Sequence, residues 1–267
     1  MSDNQVVDRE QRLKRKVTSI LISQPKPSTT RNPYLDLAEK YGIRVDFRKF
    51  IQIQPIDMKL FRRQRINPIE YPAVIFTSKT AIESFFKICE NLRAKMPQET
   101  KYFCSSETIG LYLQKFIDYR KRKVFYPKDG KTTLRKLLEK HQNIGKYLFP
   151  CASYPFDEQL RNTGLTDYLK EQEIDFDELA IYQVVCSDLS DLKDIFYDMI
   201  VFFSPLGIKS LFENFPEFQQ LYTRIAAYGD ATAKSVNEYD LEVDVQPSKE
   251  ASSMSMAIEK YIKEVNF

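Results

Sequence analysis

The chain has 267 residues, 43% of them hydrophobic and 29% charged, with a formal net charge of +3. At roughly 100–200 residues per domain this length holds about two domains with real cores, and so small a charge does not by itself make a nucleic-acid binder. No run reaches the roughly 20 apolar residues of a membrane span, residues 1–16 lack the apolar centre of a secretory signal, and the four cysteines and single histidine form neither a disulfide framework nor a metal-ligand cluster. A cytoplasmic protein without a metal is expected.

In chain order, residues 1–16 read as a flexible polar segment ending in the basic run Arg12-Leu-Lys-Arg-Lys16. A strand at Ile20-Leu-Ile-Ser23, a helix through Tyr41 and a strand from Ile43 follow. Val45 to Pro55 is one long extended run, and Asp57–Glu70, with Arg62, Arg63 and Arg65, reads as a connecting loop or short helix. Tyr71-Pro-Ala-Val-Ile-Phe-Thr-Ser78 is an apolar β-rich run closed by a serine, and helix-period residues continue to Phe86. Strands follow at Lys101-Tyr-Phe-Cys104 and Val124-Phe-Tyr-Pro127. The run Arg120–Lys123 between them reads as a solvated face.

Asp129-Gly-Lys-Thr-Thr133 is similar in composition to a phosphate loop. That loop needs a glycine five residues before Gly130, and Phe125 stands there, so it reads as a loop before a helix. His141 falls at the polar end of that helix. Tyr147-Leu-Phe-Pro150, a helix through Gln172 and a strand from Ile174 lead to a second long extended run, Phe176–Val185. Tyr197–Phe212, Arg224-Ile-Ala-Ala-Tyr-Gly-Asp-Ala231 and Val243–Pro247 then repeat the earlier pattern.

The repeat is the main organisational signal. Tyr71–Phe86 matches Tyr197–Phe212, Lys101–Thr108 matches Arg224–Ala231, and Val124–Pro127 matches Val243–Pro247. The Ile20–Ser23 block with its helix and strand matches the block from Tyr147. Short apolar strands alternating with amphipathic helices predict α/β architecture, two similar lobes whose parallel sheets are covered on both faces. Ser78 and Ser204 fall at strand-to-helix corners, where an N-cap belongs. The two long runs, about 46–55 and 176–185, predict a two-stranded connector.

Five pieces, Val74-Ile-Phe-Thr-Ser78, Leu148-Phe-Pro-Cys151, Ala180-Ile-Tyr-Gln183, Phe202-Phe-Ser-Pro-Leu-Gly207 and Ala227-Tyr-Gly-Asp-Ala-Thr-Ala233, stand in an order and spacing that resembles the uroporphyrinogen-III synthase family from Val17 onward. The resemblance implies two flavodoxin-like lobes with the active site in the cleft between them. Lobe 1 would hold 17–48 plus 184–267 and lobe 2 would hold 49–183, the first βα unit packing with the C-terminal half. It implies a cyclising lyase that converts the linear tetrapyrrole hydroxymethylbilane to uroporphyrinogen III with inversion of the last ring and loss of water. No cofactor, nucleic-acid partner or membrane is implied, and a monomer is expected.

The implied substrate is a polycarboxylate, which suits helix N-termini, where free N–H groups and the helix dipole favour anions. The corners carried over as substrate-binding are Thr77, Ser78 and Lys79; Ser204 and Pro205; Gly229 and Thr232; and Ser252 and Ser253. Tyr182 matches the family's tyrosine on the second connector and is the expected catalytic residue. Three features depart from the family: Gln24 where an arginine is common, Asp230 at a helix start, and a non-glycine loop at 152–155. The first two sustain an alternative, a non-catalytic two-lobed cytosolic protein that binds an acidic small molecule.

Overall fold

A computed structural model of the chain describes residues 9–27, 32–118, 120, 123–128, 132–154 and 163–267. They fall into two units: unit 1 joins Met1–Gln52 to Cys186–Phe267, and unit 2 is the continuous Ile53–Val185. The chain opens with α1 (Arg9–Lys14), β1 (Ser19–Ile22), α2 (Pro33–Tyr41) and β2 (Arg44–Phe47). From β3 (Ile51–Pro55) it enters unit 2, with α3 (Met58–Arg63), β4 (Ala73–Phe76), α4 (Lys79–Asn91), β5 (Lys101–Cys104), α5 (Glu107–Leu113) and β6 (Val124–Phe125). There follow α6 (Leu134–Lys140), β7 (Tyr147–Ser153), α7 (Thr163–Glu171) and β8 (Phe176–Cys186). Unit 1 is completed by β9 (Met199–Phe202), α8 (Pro205–Asn214), β10 (Arg224–Ala227), α9 (Asp230–Glu238) and α10 (Met254–Asn266).

The sheet of unit 2 has the order β3-β8-β7-β4-β5-β6, and that of unit 1 the order β10-β9-β1-β2. All four strands of the unit 1 sheet are parallel. Burial on both faces explains why the strands read as unbroken apolar runs. On β4, Val74 and Phe76 enter one core with Phe85 and Leu148, while Ala73 and Ile75 enter a second with Phe103 and Tyr147. On β9, Met199 and Val201 face one core, Ile200 and Phe202 the other.

The order of strands shows how the repeat is assembled. In unit 2, β7 returns beside β4 after the crossover through α6; in unit 1 the matching place beside β9 is filled by β1, from the start of the chain. Asp198 fastens this exchange. Its carboxylate accepts from the backbone N–H of Thr18 (2.9 Å) and Ser19 (3.0 Å) and from both hydroxyls (2.7 and 3.0 Å). At the other end, the Asn266 side chain accepts from the Val17 N–H at 2.9 Å and donates to its carbonyl at 2.8 Å.

Three expectations need correction. The segment 1–16 is not free along its length. Residues 1–8 lie outside the described residues, but Arg12 is buried, its guanidinium 3.1 Å from the fully buried Asp244 carboxylate and 2.5 Å from Glu242. The carbonyl of Arg15 accepts from the buried Arg224, and the Arg15 guanidinium lies 4.3 Å from the Tyr222 ring centroid. The run looked solvated because a sequence does not reveal which distant carboxylate is buried. Second, 46–55 is not one strand. The chain breaks between β2 and β3 because Phe50 turns fully into the unit 1 core, edge-on to Phe202 at 5.8 Å. Third, the fourth strand of the second repeat shrinks to a single bridge, Ala226 to Val245.

Helix ends follow one device. After α2, α4, α7 and α9 the N–H of Ile43, Ala94, Ile174 and Leu241 reaches back five residues, to the carbonyls of Ala38, Cys89, Leu169 and Val236. That closure needs a left-handed residue just past the helix. Gly42 supplies it once, at φ 64°, but Arg93, Glu173 and Asp240 hold φ of 53°, 53° and 56°. A side chain costs about 1–2 kcal/mol there, partly offset because glycine is freer when unfolded. Glu173→Gly is therefore expected to stabilise unit 2 by about 0.5–1 kcal/mol, read as a melting temperature higher by a few degrees.

Candidate functional site

The corner after β4 is fixed by its own chemistry. Ser78 sits in an extended conformation ahead of α4, and its Oγ accepts from the Ala81 N–H at 3.0 Å. The Thr77 carbonyl is held by the Ser105 hydroxyl at 3.1 Å. The strand order of unit 2 reverses between β4 and β7, and ligands of open α/β sheets sit outside the carboxyl ends of strands at such a point.

Tyr182 arrives at this place through an irregular register. Along β7 and β8, Cys151 pairs with Ala180, but the next pair is Ala152 with Tyr182, so Ile181 is the extra residue of a bulge. A bulge re-aims the side chains beyond it. Tyr182 then lines a small pocket of about 70 Å³ with Thr77, Cys151, Tyr154 and Glu178. Burial raises the pKa of its phenol, the neighbouring Ser78 hydroxyl partly offsets this by hydrogen bonding, and Cys151 adds to the rise. The group is an intact phenol at neutral pH. Burial, with Tyr182 and Cys151 nearby, raises the Tyr154 phenol as well.

Of the residues expected in unit 2, Thr77, Ser78 and Tyr182 are thus brought together. Lys79 is not part of this pocket; its Nζ lies 5.3 Å from the Tyr112 ring centroid. Tyr154, Cys151 and Glu178 were missed. The signal for the first two was the position of Cys151-Ala-Ser-Tyr154 at the end of a strand matched in the repeat to the corner at Ser23. Pro155, the end of the expected 152–155 loop, lies outside the described residues, as do Asp129, Gly130 and Lys131. His141 caps the end of α6, half-buried, with its ring 4.6 Å from Phe125 and 5.5 Å from Phe103, and burial, then Lys101 and Lys140, lowers its pKa.

In unit 1 the expected corners lie along the carboxyl edge of the sheet. Ser204 precedes Pro205 at the first position of α8, where proline's missing N–H and fixed φ are tolerated, and its hydroxyl makes no capping bond. Gly229, at φ 82° and ψ 159°, holds a backbone open only to glycine, with nothing within 4 Å of where a Cβ would stand. The start of α9 is therefore open to close approach. Asp230 accepts from the Gln246 amide at 3.2 Å. Ser253 caps α10 by accepting from the Met256 N–H at 3.2 Å, and Ser252 beside it is exposed.

Thr232 is 2% exposed, its side chain on the packed face of α9. The spacing of α9 puts that third residue on the same face as Val236, which is also buried. Among the described residues no three His, Cys, Asp or Glu side chains are placed to hold a metal ion, and no helix is long and apolar enough to cross a membrane.

Comparison with known proteins bears on this arrangement. The uroporphyrinogen-III synthetase of Helicobacter pylori has a similar structure, with a TM-score of 0.58 and 16% identity over 92% of this chain and 99% of that one. A mutant uroporphyrinogen III synthase from the extremely thermophilic bacterium Thermus thermophilus gives a TM-score of 0.52 and 14% identity, with the same coverage. No curated protein sequence matches the chain. These likenesses show a shared fold, and the sequence profile described as Uroporphyrinogen-III synthase HemD matches residues 32–256. That profile spans most of the sequence, and the chain belongs to the uroporphyrinogen-III synthase HemD family.

Proposed function

We propose that this protein cyclises the linear tetrapyrrole hydroxymethylbilane to uroporphyrinogen III, inverting the last ring and releasing water. The observation that carries the proposal is the family profile over residues 32–256. The Tyr182 pocket adds chemistry consistent with it. An intact phenol beside the departing hydroxyl of the substrate donates a hydrogen bond or its proton, so that the hydroxyl leaves as water. Ser78 holds the phenol oxygen in place while its own oxygen accepts from the Ala81 N–H.

The substrate's carboxylates go to helix starts. In unit 2 the donors are the first turn of α4 with Thr77 and Ser78. In unit 1 they are the starts of α8, α9 and α10, with Ser204, Gly229 and the Ser252-Ser253 pair. Each exposed helix end favours an anion by about 0.3–1 kcal/mol, and several together suit a polyanion. Positioning a reactive substrate supplies much of the remaining acceleration. The protein works as a cytoplasmic monomer in this reading.

Incubation with freshly prepared hydroxymethylbilane, followed by oxidation and isomer analysis, tests the activity. Uroporphyrin III is expected as the main product. Isomer I alone, the spontaneous product, overturns the proposal.

A further inference from the structure

Unit 2 contains a second and much larger cavity, about 790 Å³, at the opposite end of its sheet from Tyr182. The candidate site lies past the carboxyl ends of β4 and β7. This cavity lies before the amino ends of β5 and β6, walled by the end of α4 and the stretch 93–100 and by residues 115–118, Arg120 and Lys123. Its size is in the range of small-molecule pockets.

The lining divides by chemistry. Phe86, Cys89, Tyr102 and Phe116 provide an apolar wall. Among the described residues of the lining, five cations, Arg93, Lys95 and Lys115 among them, stand with two carboxylates, Glu90 and Asp118. Glu90 is engaged by Lys87 at 3.4 Å, and Lys123 is taken up by Glu99 at 2.9 Å and the Gln98 carbonyl. Arg93 and Lys95 are exposed and, among the described residues, form no ion pair. Thr100 is the second, independent sign. Its side chain also lines the cavity, is only 2% exposed, and its Oγ1 has no hydrogen-bond partner. A buried hydroxyl left unpaired is unfavourable, and a ligand acceptor would satisfy it.

The repeat supplies an internal comparison. Unit 1 has a pocket of about 640 Å³ at the matching place, after α8 and before β10. That pocket is apolar, with Phe196, Phe215 and Leu221, and carries one lysine, Lys193, against Asp194 and Glu217. The cationic rim is therefore a property of the unit 2 sequence and not of the fold.

We propose that the unit 2 cavity is a binding site for a small anionic amphiphile, its apolar body against Phe86, Tyr102 and Phe116 and its anionic group at Arg93 and Lys95. The probe is 8-anilinonaphthalene-1-sulfonate, with N-phenyl-1-naphthylamine as the same body without the charge, each titrated by fluorescence into the full-length protein. Saturable sulfonate binding is expected, weakened at least about tenfold by Arg93→Glu with Lys95→Glu while the neutral probe changes by less than about twofold. Thr100→Val is expected to weaken the sulfonate several-fold and Thr100→Ser to restore it, each variant keeping the far-ultraviolet circular dichroism of the parent. Phe196→Asp, in the unit 1 pocket, should leave binding unchanged. Three outcomes overturn the proposal: no saturable binding, undiminished binding in the Arg93 and Lys95 double variant, or loss only in Phe196→Asp. The readout is binding rather than turnover, so this result is independent of the isomer assay.

Discussion

Tyr182→Phe is expected to lower kcat by about a hundredfold while leaving the melting temperature within a degree or two of the parent. General acids contribute about 10²–10⁴ in rate, and the lower part of that range suits a leaving group that departs spontaneously in solution. The substitution keeps the ring against Ala152 and the pocket wall and removes only the oxygen. Ser78 retains its capping bond to the Ala81 N–H, so the α4 corner survives. Because burial holds the phenol pKa above its ordinary value of 10.0, Tyr182 stays protonated throughout the neutral and mildly alkaline range. The parent should therefore show no loss of kcat attributable to this group below about pH 10. Stopped assays with isomer analysis decide it: an unchanged rate and an unchanged ratio of isomers III and I remove Tyr182 from the mechanism.

The largest stability effect is expected at Asp198. Asp198→Ala strips the acceptor from two backbone N–H groups and two hydroxyls at the start of β1, and should destabilise unit 1 by about 3 kcal/mol. Urea unfolding followed by circular dichroism should show a transition at lower denaturant than in the parent. The pH dependence has a definite sign. Burial pushes the Asp198 pKa upward, but the bonds from Thr18 and Ser19 outweigh it and hold the folded value below 3.8. A depressed carboxylate contributes stability that is fully present above the unfolded pKa, about 3.9, and is lost as pH falls through the folded value. The gap between parent and Asp198→Ala should thus be constant from pH 7 to 5 and narrow below about pH 4. A gap independent of pH down to pH 2 would mean that the ionised carboxylate is not what holds β1.

The α/β architecture was legible because both faces of each sheet are covered, so β4 and β9 read as unbroken apolar runs bounded by Ser78 and Ser204. Three of the corners, at Ser78, Ser204 and Gly229, could be placed for the same reason: a strand that ends in a serine or glycine ahead of a helix has a local signature. What escaped depends on contacts far apart in the chain. Arg12 looks like any basic residue near a terminus until Asp244 is seen buried beside it. Phe50 sits in one long extended run, Val45 to Pro55, that gives no sign of the break made by its burial among the residues of unit 1. Thr232 reads as a helix-start hydroxyl, yet helical spacing turns it inward. The grouping of Tyr154 and Glu178 with Tyr182 needs the bulge between β7 and β8, and a one-residue register shift has no local signature.

The placement of β1 also fixes an order of events on the ribosome. Unit 2 is written as one uninterrupted stretch, so it can finish folding soon after Val185 has emerged. The strand β1 leaves the ribosome first but has no β9 to lie against until Asp198, 180 residues after Thr18, has been translated. At roughly 5–20 residues per second, that wait lasts on the order of ten seconds or more. For that time a short, largely apolar strand, Ser19-Ile-Leu-Ile22, has β2 on one side and an open edge on the other, and open edges of this kind invite pairing with other chains. The protein's vulnerability during biosynthesis therefore lies at β1. A message cut short before codon 198 would yield a finished unit 2 preceded by a β1-β2 pair whose β9 edge is open.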